Sequence, residues 1–96
     1  VRLVPTAGHT PGHVSVVIES TGEKALITGD MMHHPCQIAR PHWTVSFDED
    51  QEIAARCRVN VLKELADSPT LVIGTHFAAP TAGKVVSDKD GYRFDF

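Results

Sequence analysis

Thr6-Ala-Gly-His-Thr-Pro-Gly-His13 is the stretch whose reading decides the fold. Gly8, Pro11 and Gly12 break any helix there, so His9 and His13 sit in a turn-rich loop and not on one helix face. The segments on either side are extended. Arg2 to Pro5 is short and apolar, and His13 to Ser20 (HVSVVIES) is rich in β-branched residues. Thr21-Gly22-Glu23 supplies a tight turn into Lys24 to Thr28 (KALIT), giving an antiparallel hairpin that ends at Gly29-Asp30.

Further along, Met31 to Phe47 shows no period and contains Pro35 and Pro41. It is long for a structureless connection, and loops of that length are usually functional or mobile. Asp48 is the expected N-cap of the following helix, with Gln51 completing a capping-box-like pair. From Glu49 to Asp67, Ile53, Ala54, Cys57, Val61, Leu62 and Leu65 recur at helical spacing; Glu52, Arg56, Asn60, Lys63 and Glu64 form the polar face, and Ser68-Pro69 ends the helix. Thr70 to Ile73 is a continuous apolar run fit for a buried strand, ending at Gly74-Thr75-His76. A last hairpin is expected from Lys84 to Ser87 and Tyr92 to Phe96. A single long helix over a sheet leaves the other face of the sheet bare, which points to a further half of the domain.

Composition bounds the rest. The 96 residues allow one domain, and 42% hydrophobic with 22% charged residues is a globular composition. A net charge of −3 with scattered basic residues gives no reason to expect nucleic acid as a partner. No apolar run approaches the ~20 residues that span a bilayer, so no membrane partner is expected. Cys36 and Cys57 form no C-x-x-C unit and read as free thiols of a reducing, cytoplasmic compartment. The chain opens at Val1 inside a strand, so it reads as a fragment whose targeting segment, if any, lies upstream.

Three polar residues share one placement. His9, Asp30 and His76 each follow an apolar strand where the chain leaves the sheet, and neighbouring strands would bring them to one edge. Two imidazoles and a carboxylate suit Zn²⁺, Fe²⁺ or Mn²⁺ better than Ca²⁺ or Mg²⁺. Taken singly, each has a plainer reading as a surface histidine or a turn residue.

Taken together, Thr6 to His13, Thr28-Gly29-Asp30 and Gly74-Thr75-His76-Phe77 resemble, in order, three metal-site elements of the metallo-β-lactamase-fold superfamily. The spacings, 21 residues from His9 to Asp30 and 46 from Asp30 to His76, resemble its lactonase and methyl parathion hydrolase branches. The resemblance implies an α/β (α+β) fold: the C-terminal half, residues 1–96, of a four-layer αβ/βα sandwich with mainly antiparallel strands and one long helix. It implies a binuclear metal-dependent hydrolase acting on an ester, lactone, thioester or organophosphate through a metal-bridging hydroxide. Two divalent ions, zinc first and iron or manganese otherwise, would be held by His9, by Asp30 as the bridge, and by His76. The family's H-x-H-x-D-H loop is absent from this sequence and would lie in an N-terminal half, the expected partner of this chain. A homodimer is also compatible with the resemblance.

His13 aligns with a position that is often Ser in the family, so it reads as a residue that orients the loop from behind the metal site. His33 takes the place of a lactonase Tyr that contacts the substrate's carbonyl side, and is expected to donate to the developing oxyanion or the leaving group. An exposed loop histidine is the alternative. His34, His42 and Trp43, with Met31 and Met32, are expected to line the substrate pocket, or else to pack under the loop. Two other functions stand beside hydrolysis of a small molecule: a nuclease of the same fold, disfavoured by the negative charge, and a module that keeps the fold without catalysis. A flavodiiron-type redox role would be decided by the upstream ligands.

Overall fold

The computed structural model describes every residue from Val1 to Phe96. Six strands lie in sequential order: β1 (Arg2–Pro5), β2 (Val14–Ser20), β3 (Glu23–Ile27), β4 (Leu71–Ile73), β5 (Ala82–Asp88) and β6 (Gly91–Asp95). All neighbours pair antiparallel except β3 and β4, which are parallel and enclose the long connection. Counting directions across the sheet, β1, β3 and β4 run the same way, so their C-terminal ends share one edge.

The period of two along each strand sorts side chains between two faces. Val17, Leu26, Val72 and Val85 are buried on one face and form a core with Met31, Met32, Ile38, Leu62, Leu65 and Phe77. The register places Leu3, Val16, Ile18, Ala25, Ile27, Leu71 and Ile73 on the opposite face. No helix covers that face, and Leu3, Ile18 and Leu71 remain exposed on it.

Helix α2 (Gln51–Leu65) covers the core face through Ala54, Arg58, Leu62 and Leu65, spaced three or four apart. Its cap differs from the sequence expectation. Asp50, not Asp48, is the N-cap, and its side chain accepts from Ile53 N–H at 3.0 Å. Asp48 is pulled inward to other partners, which leaves Asp50 in the extended conformation a cap requires.

The connection from β3 to α2 is also more ordered than its lack of periodicity predicts. It holds a 3₁₀ turn (Gly29–Met31) and a one-turn helix α1 (Cys36–Ala39). Met31 and Met32 are buried in the core and do not line a pocket, because the turn at Gly29–Met31 folds them under the loop. Gln37 and Arg58, both buried, satisfy the loop's irregular backbone. Gln37 accepts from His33 N–H and donates to Trp43 O, while Arg58 donates to the carbonyls of Met31, Pro41 and Trp43. Both cysteines are free, and no helix is long and apolar enough to cross a membrane.

Candidate metal centre at the strand ends

The shared edge of β1, β3 and β4 gathers His9, Asp30 and His76. Asp30 leaves β3 through Thr28 and Gly29, and His76 leaves β4 through Gly74 and Thr75. The two exits are laced together: Thr28 N–H donates to Ile73 O at 3.0 Å, Gly29 N–H to Thr75 Oγ1 at 3.0 Å, and Thr75 N–H to Thr28 Oγ1 at 3.3 Å. Gly29 has φ +59°, and a Cβ there would lie 2.9 Å from His13 Nε2, so a side chain is excluded on both counts.

His9 is set by the entrance to α2. Glu49 N–H donates to His9 O at 3.0 Å and Asp50 N–H to Gly8 O at 2.9 Å. Gly8, at φ +138°, lies so close to the first turn of α2 that a Cβ would collide with the backbone of Ala54. The loop read from sequence as merely turn-rich is thus clamped to the helix.

Asp30 stands at the centre. Its Oδ2 is 3.3 Å from His9 Nε2, while its Oδ1 contacts His76 Nε2 and lies 3.9 Å from His33 Nε2. The hydrogen bond from His76 and the nearby imidazoles hold the Asp30 carboxyl below the usual aspartate value. His33 stacks on His76 with ring centres 4.9 Å apart and lies 5.4 Å from the ring of His9. Burial pushes the pKa of His33 down, and its Nδ1 is buried without a hydrogen-bond partner. Its other ring nitrogen, Nε2, is the one that faces Asp30. Donor atoms of His9, Asp30 and His33 lie within 4.8 Å of one another; His76 joins through Asp30 and the stack.

His13 lies behind this group. Its Nε2 accepts from Asp30 N–H at 2.9 Å, so its proton is on Nδ1, which faces Thr6 Oγ1 at 2.8 Å. Thr6 Oγ1 then donates to Ser15 Oγ at 2.9 Å and Ser15 Oγ to Thr28 O at 2.9 Å. Every member of this chain has one donor and one acceptor role, which fixes the backbone on both sides of Asp30. A protonated His13 could not accept from Asp30 N–H.

The structure does not bring every expected residue to the group. His34 accepts from Cys36 N–H through Nδ1 and is exposed, as are His42 and Trp43. None of the three shares a ring contact or hydrogen bond with His9, Asp30, His33 or His76. Phe47 does so instead, edge-on to His33 at 5.1 Å and to His9 at 5.9 Å.

Asp48 was missed as a site residue. Its Oδ1 accepts from His9 Nδ1–H at 2.9 Å, and its Oδ2 faces Arg58 Nη1 at 3.7 Å. In sequence it lies in an acidic run, Asp48-Glu-Asp50, where a cap is the simplest reading. Arg58 had a visible signal, because it falls four residues from both Ala54 and Leu62, on the buried stripe.

A compact histidine–carboxylate group on one sheet edge could hold a metal ion, and comparison with known proteins gives the family. The profile of the Metallo-beta-lactamase superfamily matches residues 1–76, and the chain belongs to that superfamily. Among solved structures, the hydrolase AbOPH of the beta lactamase superfamily superposes with a TM-score of 0.89 at 29% identity, over 98% of this chain and 33% of that one. AidC, a dizinc quorum-quenching lactonase in complex with a product, gives 0.87 at 30% identity, over 96% and 32%. A probable metal-dependent hydrolase from Staphylococcus aureus gives 0.69 at 23%, over 93% and 33%, and shares the fold. The chain therefore spans about a third of the length of these structures. No curated protein matches it.

Proposed function

We propose that this chain is the C-terminal half of a binuclear metal-dependent hydrolase acting on an ester, lactone, thioester or organophosphate. The observation that carries the reading is the disposition of Asp30, whose two oxygens face different imidazoles at the ends of strands running in one direction. Likeness to a dizinc lactonase supports it further. The residues fit divalent ions. His9 commits Nδ1–H to Asp48 and leaves the lone pair of Nε2 toward Asp30, the posture of a ligating imidazole.

In this reading His9, Asp30 and His76 would hold the ions, and an N-terminal half bearing H-x-H-x-D-H would supply the other ligands. That half would also cover the bare apolar face of the sheet. Such ions would supply a hydroxide nucleophile at neutral pH and polarise the scissile carbonyl or phosphoryl oxygen. The residues of this chain hold and orient. His13 and its hydroxyl chain fix Asp30, and His33 Nε2–H donates to the developing oxyanion or to the leaving group. The long loop forms a wall of the substrate pocket through Phe47, with His34, His42 and Trp43 nearer its exposed rim.

The full-length protein tests this directly. Metal analysis should find about two equivalents, and a panel of lactone, aryl ester, thioester and phosphotriester should be hydrolysed. Asp30→Ala should lose one equivalent and most turnover; near-normal turnover would contradict the assignment. His33→Phe separates donor from ligand. A donor leaves metal content intact while kcat drops about 10²-fold, and unchanged kcat with unchanged metal refutes the role.

A further inference from the structure

Asp48 and Arg58 are a buried ion pair that the hydrolase reading does not itself require. Both side chains have no exposed surface, and an ion pair so placed costs more in lost hydration than a well-packed apolar pair would. Their contacts show what they hold. Asp48 Oδ1 takes the Nδ1 proton of His9 at 2.9 Å. Arg58 spends its other donors on the carbonyls of Met31, Pro41 and Trp43, so the guanidinium that faces Asp48 is itself fixed by the loop carrying His33 and Phe47.

We infer that Asp48, held in place by Arg58, is the positioning residue that locks His9 in the Nδ1–H tautomer and so presents Nε2 to a metal ion. The inference rests on the proposed metal centre. A free imidazole divides its proton between the two nitrogens, whereas a carboxylate 2.9 Å from Nδ1 selects one form. Asp48 Oδ2 has no hydrogen bond and is anchored only by the charge of Arg58, so the pair acts as a unit.

The test uses the full-length protein. In the metal-free wild type, ¹⁵N spectra of the imidazoles should show His9 protonated at Nδ1; an Nε2–H form overturns the inference without recourse to any variant. The neutral pair Asp48→Leu/Arg58→Met removes both charges together, which avoids stranding one of them. It should shift His9 away from the Nδ1–H form and weaken zinc binding about 10- to 100-fold in competition with a chromophoric chelator. Asp48→Asn/Arg58→Met retains a carbonyl acceptor and should recover the tautomer and most of the affinity. Zinc affinity of the Leu/Met variant within about twofold of wild type, or no recovery with Asn, overturns it. A wild type that takes up no zinc sinks the metal centre itself, whereas zinc uptake indifferent to these substitutions sinks the positioning role alone.

Discussion

Protonation ties two residues of the site to pH. Burial holds His33 below its ordinary value of 6.5, and the His76 contact holds Asp30 below 3.8. In both cases the unfolded chain binds the proton more tightly than the folded one. The stabilisation is therefore complete above the unfolded value and is lost as pH falls. For metal-free protein, stability should begin to fall as pH drops through about 6.5 on account of His33, and again below about 4 on account of Asp30. Urea unfolding of wild type and His33→Phe at pH 7.5 and 5.5 checks the first step. The variant should lose less stability over that window, and equal losses would exclude His33 as the source. At this scale type and spacing in the sequence picked out His9, Asp30, His33 and His76 as candidates, and the structure gathers them. The sequence could not show Asp48, since an aspartate just ahead of a helix looks the same whether it caps the helix or turns inward.

Among the elements, α2 sets the site from beneath. Its first turn packs on Gly8, its N-terminal backbone holds His9, and its buried Arg58 anchors the loop. The two aspartates at its start therefore do different work. Asp50→Ala should remove only a cap, costing about 0.5–2 kcal/mol in chemical denaturation with zinc affinity unchanged. A drop in zinc affinity as large as that of the Asp48→Leu/Arg58→Met variant would show that the helix start acts as a whole. Periodicity located this helix to within two residues at each end, because three buried apolar positions of four are enough to define a face. It put Arg58 on the buried stripe by spacing but gave it no task, since what a charged residue does there is known only from its partners. The loop from Met31 to Phe47 was illegible for the same reason: its order comes from Gln37 and Arg58 reaching carbonyls distant in sequence, not from any local pattern.

Across the whole molecule, the sheet has one covered and one bare face. The core lies between the sheet and α2, while Leu3, Ile18 and Leu71 stand exposed at 63%, 37% and 37% on the other side. An apolar sheet face of this extent calls for a covering layer. The 96-residue chain on its own should bind a hydrophobic dye and self-associate in sedimentation, and Leu3→Lys with Ile18→Lys should reduce both. A monomer that binds no dye would contradict the need for another layer.

The sequence alone determined the order of elements, the family, and the residue types at the three strand ends, because period and spacing are local and survive without a partner. Tertiary structure decided what lies behind them. The co-directional strands, the hydroxyl chain behind His13, and the inward turn of Asp48 toward Arg58 all depend on groups far apart in the chain. Burial then makes each unmet donor or charge too costly to leave alone. His9 is legible from its loop, but the direction in which its lone pair points is settled by a carboxylate thirty-nine residues away.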